Sequence, residues 1–125
     1  MDKENQNLYM ERAAARKLNK NLQGAYDDYT TLIEKDGKNP LYYSSRGVVS
    51  GEMGNGDDAV ADFGKAIEIN PSYYPAYINR AVVNINREEW EAAEEDLKYE
   101  EKIKNLFFWT DPILSFYFLL LIFVD

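Results

Sequence analysis

Two residue types that carry much of protein chemistry are missing from this chain of 125 residues: it has no His and no Cys. Without His there is no imidazole base, no imidazole metal ligand and no Ser–His or Cys–His nucleophile pair. Without Cys there are no disulfides and no thiolate metal sites. Four other groupings have a spacing that chemistry can use. Asp57 and Asp58 are adjacent carboxylates, but they read as a helix start, where acidic groups meet the positive end of the dipole. Gly54-Asn55-Gly56 is a turn, because it lacks the Gly-Lys-Ser/Thr of a phosphate loop. The acidic run Glu88, Glu89, Glu91, Glu94, Glu95 and Asp96 offers charge to a cation or a basic partner, although a solvated helix face explains it as well. Arg12, Arg46 and Arg80 recur at a fixed interval and invite a phosphate-binding reading. The structural alternative is favoured: each aliphatic stem lies in a helix interface while its guanidinium meets a carboxylate. Neither catalysis, nor a metal, nor a cofactor is expected.

Charge narrows the partners. The net charge is −8, and it is uneven. Residues 1–39 balance seven Lys and Arg against seven Asp and Glu, whereas residues 40–73 carry two against five and residues 74–107 five against eight. An acidic surface repels a phosphate backbone, so nucleic acid is not expected and a basic or neutral protein surface fits better.

The elements that position these groups repeat. Units of 34 residues at 6–39, 40–73 and 74–107 align without a gap. Position 4 of the unit holds Tyr9, Tyr43 and Tyr77, and position 7 holds the three Arg residues. Position 8 holds Ala13, Gly47 and Ala81, position 20 holds Ala25, Ala59 and Ala93, and position 24 holds Tyr29, Phe63 and Leu97. A period of this length marks a stack of helical units, none of which buries its apolar stripe alone.

These columns resemble the tetratricopeptide repeat (TPR), with an aromatic at 4, a small residue at 8, Ala at 20, an aromatic at 24 and Pro at 32. The resemblance covers about residues 6–107 and is best in the second unit, through Tyr43, Gly47, Ala59, Phe63, Ala66 and Pro71. It departs at position 11, where Arg16, Ser50 and Asn84 replace the preferred Tyr, and at position 32, where only the middle unit has Pro. The third unit, with Glu100 at position 27, is the weakest. The implied fold is an all-α solenoid of three antiparallel helix pairs, near 6–19 and 22–37, 40–53 and 57–69, 74–86 and 89–105. Residues at 8 and 20 are small because two helix backbones approach there, and Tyr43, Gly47, Ala59 and Phe63 are expected to be buried together. Asn19-Lys20-Asn21, Gly54 to Asp57 and Asn86-Arg87 mark the turns within pairs. Asp57 is expected to cap the second B helix, and Asn39-Pro40 and Asn70-Pro71 to close B helices.

The resemblance implies a function in protein binding, as an adaptor or scaffold. The A helices of such arrays line a concave groove through positions 2, 5, 6, 9, 12 and 13. The candidates here are Met10, Ala14, Leu41, Ser45, Val48, Ile78, Asn79 and Val82, with Asn7, Glu11, Lys17 and Leu18 in the first unit, Ser44, Gly51 and Glu52 in the second, and Pro75, Ile85 and Asn86 in the third. Asn79 can serve a ligand backbone with both a donor and an acceptor. Chaperone-binding members hold a C-terminal carboxylate with Lys, Asn, Asn, Lys and Arg. The matching places here are Met10, Ala14, Ser45, Pro75 and Asn79, which include no cation.

The chain divides into a TPR domain, 1–107, and an apolar segment, 108–125. The N-terminus has no apolar signal region, and a cytoplasmic location is expected. Residues 106–124 are apolar apart from Thr110, Asp111, Pro112 and Ser115. Asp111-Pro112 reads as the cap and first residue of a helix over 112–124. In the 34-residue register a fourth unit begins at Phe108 and places Leu114, Ser115 and Phe118 at positions 7, 8 and 11. The segment is therefore expected to cap the array. The alternatives are a membrane anchor, self-association through the same segment, or the N-terminal part of a longer repeat protein.

Overall fold

Short polar side chains start the first three helices of this chain. Asp2 Oδ1 accepts from the Asn5 amide at 2.8 Å, Asn21 Oδ1 from Gly24 at 3.0 Å and Asn39 Oδ1 from Leu41 at 3.0 Å. Each occupies an amide that has no partner within its helix. The computed structural model describes residues 1–110 and Ile113. Its helices are α1 (Lys3–Leu18), α2 (Leu22–Lys35), α3 (Pro40–Glu52), α4 (Gly56–Ile69), α5 (Tyr74–Asn86) and α6 (Trp90–Thr110), and no strand occurs among the described residues. The all-α reading and the six helices match the repeat pattern.

The turns inside the pairs share one geometry. Lys20, Gly54 and Glu88 all stand at repeat position 15, and all have positive φ: 63°, 83° and 61°. One residue later, the amides of Asn21, Asn55 and Glu89 reach back to the carbonyls of Arg16, Ser50 and Asn84. This closure satisfies helix-end carbonyls that would otherwise be orphaned.

Packing follows the columns. α1 and α2, α3 and α4, and α5 and α6 form pairs, and α3 and α5 each pack back on the preceding pair. One core holds Ala13, Ala25, Tyr29 and Leu32 with Tyr42 and Val49 of α3. A second holds Ala59, Phe63 and Ala66 with Ala76 of α5, flanked by Tyr43, Val48 and Val83. Gly47, Ala59 and Phe63 are buried together as expected, while Tyr43 is only half-buried against them.

Some boundaries differ from expectation. Asn55, not Asp57, is the N-cap residue of α4, and Asp57 stands inside the first turn. Asn39-Pro40 does not close a B helix. α2 ends at Lys35, and Asn39 caps α3 with Pro40 in its first turn, where a missing N–H costs nothing. Asn70 does close α4. α6 continues past residue 105 to Thr110, because no Pro or Gly interrupts 103–110. The helix expected over 112–124, with Leu114, Ser115 and Phe118, lies outside the described residues except for Ile113, which is helical and exposed. Among the described residues no helix is long and apolar enough to cross a membrane.

Candidate peptide-binding groove

The three Arg residues at position 7 are already occupied. Arg12 Nε and Nη2 donate to Asp28 at 3.0 and 2.7 Å, Arg46 to Asp62 at 2.8 and 2.8 Å, and Arg80 to Asp96 at 2.8 and 2.6 Å. All three pairs are two-pronged, and all join positions 7 and 23 of one unit. The carboxylates are buried, and hydrogen bonding to them raises all three guanidinium pKa values. Arg12 also lies over the Tyr9 ring at 4.7 Å, and Arg46 over Tyr26 at 5.3 Å. These are internal clamps between A and B helices rather than phosphate ligands, as the structural reading expected. In the first unit Arg16 adds a second cation to Asp28 at 2.9 Å.

The partner column, Asp28, Asp62 and Asp96, is absent from the sequence reading, although the same alignment displays it. Asp96 was grouped with the solvated acidic run, but it is buried, while Glu88, Glu89, Glu91, Glu94 and Glu95 are exposed. Glu94 pairs with Lys98 on the surface. Among the described residues no group of His, Cys, Asp or Glu is arranged to hold a metal ion.

Between α3 and α5, with part of α4 beneath, lies a groove of about 670 Å³, lined by Val48, Gly51, Glu52, Gly54, Gly56, Asp57, Phe63, Asn79, Val82, Val83, Asn86 and Arg87. Six of the candidates meet there: Val48, Gly51, Glu52, Asn79, Val82 and Asn86. Gly51 lies beside Val83, where a Cβ would find ordinary contact at 3.5 Å. The charged groups at the rim are paired. Arg87 donates to Asp57, and Lys17 stands 3.8 Å from Glu52. Neither Asn79 nor Asn86 has a side-chain hydrogen-bond partner among the described residues.

Other candidates lie elsewhere. Position 5 does not line this groove. Met10 packs on the first core, Ser44 is buried, and Ile78 is half-buried outside the groove. Ser45 is half-buried beside Tyr29. Burial raises the pKa of that phenol, and the Ser45 side chain opposes the rise. Ala14 and Leu41 are exposed on their helices but do not line this groove, nor does the half-buried Pro75. Asn7, Glu11 and Leu18 are exposed as well. Ile85 opens onto a separate recess at the far end of the array. Sequence reasoning missed Arg87, Asp57 and the floor residues Phe63 and Val83 as parts of the groove.

Six helices packed in consecutive pairs, with small residues in the core between them and a groove between α3 and α5, define a helical-repeat array. No family profile matches the chain. It is 32% identical over 88 residues to the DnaJ homolog subfamily C member 7 homolog of Dictyostelium discoideum, a match spanning 67% of this chain and 16% of that protein. The chain thus corresponds to about a sixth of that relative's length. Its fold is similar to the first TPR of Spaghetti (RPAP3) bound to the HSP90 peptide SRMEEVD, with TM-score 0.77 and 21% identity over 84% of this chain and 83% of that one. It is also similar to the TPR2B domain of yeast Sti1 in its pHsp70 complex, with TM-score 0.72 and 26% identity over 74% of each chain. The chain is a tetratricopeptide-repeat protein.

Proposed function

We propose that this chain is a protein-interaction adaptor whose α3–α5 groove holds an uncharged, extended segment of a partner protein. The observation that carries this reading is the groove's inventory: apolar Val48 and Val82, two unpartnered amides, and rim charges that already neutralise one another. Asn79 and Asn86 lie seven residues apart on α5, which spaces their amides by about 10 Å along one face. Each offers a donor and an acceptor to a peptide backbone, while the valines take apolar side chains. No side chain is assigned a catalytic role.

The similar structures carrying HSP90 and Hsp70 ligands suggest an acidic C-terminal peptide instead. The side chains here argue otherwise. The clamp places hold Met10, Ala14, Ser45, Pro75 and Asn79, and a desolvated carboxylate needs charged donors. A calorimetric titration of the full chain with the peptide SRMEEVD tests this difference. The expected result is no measurable binding at low salt. Tight, salt-sensitive binding would reassign the groove to a carboxylate-ended ligand.

A further inference from the structure

Asn55 is followed by Gly56, and no other Asn in the chain precedes a Gly. The order bears on the chemistry of the side chain. The backbone nitrogen of the following residue can attack a carboxamide carbon and close a cyclic imide. Gly, with no Cβ to crowd the approach, permits this most readily. Local geometry decides which carboxamides are free to react. Asn21 stands at the same repeat position as Asn55, but its Oδ1 is held by the Gly24 amide at 3.0 Å. Asn39 and Asn70 precede Pro, which has no N–H to give. Asn55 is exposed, and its side chain makes no capping bond. The Gly56 N–H has no acceptor among the described residues, because it is one of the orphan amides that open α4. The positive end of the α4 dipole lies at that nitrogen and favours the anion that attacks. Asp36 also precedes a Gly, but it offers a carboxylate with no ammonia to lose, and its Oδ1 is held by the Lys38 amide at 3.2 Å.

We propose that Asn55-Gly56 is a site of spontaneous deamidation, and that its product remodels the rim of the α3–α5 groove, whatever the groove binds. In the reaction the Gly56 nitrogen bonds to Asn55 Cγ, the Cγ–Nδ2 bond breaks, and ammonia leaves with the amide proton. Water then opens the imide. Opening at Cγ gives an aspartyl residue with the backbone unchanged. Opening at the main-chain carbonyl carbon gives an isoaspartyl residue, whose main chain runs through Cβ and Cγ and is one methylene longer. The turn has no slack for that methylene. The Asn55 amide donates to the Ser50 carbonyl, and the Asn55 carbonyl accepts from the Ala59 amide. Gly56 lies under the Arg87 stem, where a Cβ would come within 2.9 Å of Arg87 Cδ, and Asp57 accepts from the Arg87 guanidinium. Lengthening the chain between these fixed points moves Gly56 and Asp57 off Arg87, at the edge where all three line the groove.

The full chain is incubated at mildly alkaline pH, once folded and once unfolded in urea. Peptide mapping by mass spectrometry follows each Asn, and a protein isoaspartyl methyltransferase labels the isoaspartyl product. The expected result is conversion of Asn55 about ten-fold or more faster than of Asn21 in the folded chain, and within about ten-fold of the rate of Asn55 in urea, since no local opening is needed. The methyl label is expected at residue 55 and is lost in Asn55→Gln. Hydrogen exchange over residues 54–59 should quicken in the labelled protein but not in freshly prepared Asn55→Asp, which carries the added charge on a regular backbone and caps as well as Asn. Equal rates at Asn55 and Asn21, or a rate at Asn55 that folding suppresses by more than about ten-fold, would overturn the proposal, because the turn then protects the site. A product without methyl label, or one whose exchange matches Asn55→Asp, would overturn the remodelling of the rim.

Discussion

Gly47 of α3 rests against the ring of Phe63 in α4, so closely that a Cβ at residue 47 would lie 2.9 Å from the ring carbon Cε1. This contact sets how near the two helices of the middle repeat can come. Phe63 is 1% exposed and bears on α5 as well, so it cannot withdraw without disturbing the next repeat. Gly47→Ala is expected to destabilise by about 1–3 kcal/mol in thermal or urea melts, and Gly47→Leu by more, through overpacking. Ser50 stands three residues further along the same helix and is the contrast. Its Oγ is buried with no hydrogen-bond partner. Ser50→Ala removes a desolvated hydroxyl and should leave stability unchanged or raise it. Equal losses for Gly47→Ala and Ser50→Ala would show that the close approach lies elsewhere.

The Arg–Asp clamps should differ in strength with burial. Arg46 and Asp62 side chains are 18% and 10% exposed, against 49% and 4% for Arg12 and Asp28. Removing Arg46 as Arg46→Met strands a buried carboxylate, with an expected loss of about 3 kcal/mol. Arg12→Met should cost less, both because solvent screens the exposed partner and because Arg16 still serves Asp28. Denaturant melts of the two variants, with a double-mutant cycle at Arg46 and Asp62, check the order. A larger loss at Arg12 would contradict it.

Position 15 makes a backbone prediction. Lys20 and Glu88 hold φ near 60° without being Gly, while Gly54 occupies the same place at no steric cost. Lys20→Gly and Glu88→Gly should each stabilise by roughly 1 kcal/mol, and Gly54→Ala should destabilise by a similar amount. The midpoints of urea unfolding read this directly. A loss of stability in both Gly variants would contradict the shared turn.

Tyr77 and Tyr99 stack with ring centroids 4.1 Å apart, and both hydroxyls donate to the Pro71 carbonyl. Burial, reinforced by the Tyr99 hydroxyl, pushes the Tyr77 phenol up to about 12. The neutral form is the one the fold favours. Its contribution to stability is therefore complete below the ordinary phenol value of about 10 and fades as pH rises toward 12. Ultraviolet titration of the folded chain should show a late phenolate step that Tyr77→Phe removes. A titration unchanged by that substitution would refute the assignment.

How much of this was readable in advance depends on whether the cause was local. The small residues at 8 and 20 report a steric limit at one point, so Gly47 and Ala59 were legible from their columns alone. The polar turns were legible for the same reason. The Asp column was not, because a carboxylate on a B helix looks like solvated surface until its distance to Arg is known. Asp96 hid among five exposed Glu residues for that reason. Met10 and Ser44 pack toward the core, and the periodic pattern does not separate them from the neighbouring position 9 on the same helix side. Arg87 and Asp57 come together across a turn at a separation of 30 residues, which no periodic pattern displays.

The central claim is that the α3–α5 groove receives an uncharged extended segment, and selection from a random displayed-peptide library against the full chain tests it most directly. The account predicts selected peptides poor in Asp and Glu, indifferent to a free C-terminal carboxylate, and lost when Val82→Glu alters the groove but retained when Glu95→Lys alters the outer surface. Peptides that end in an acidic carboxylate motif, or that bind Val82→Glu as well as the unaltered chain, would contradict it.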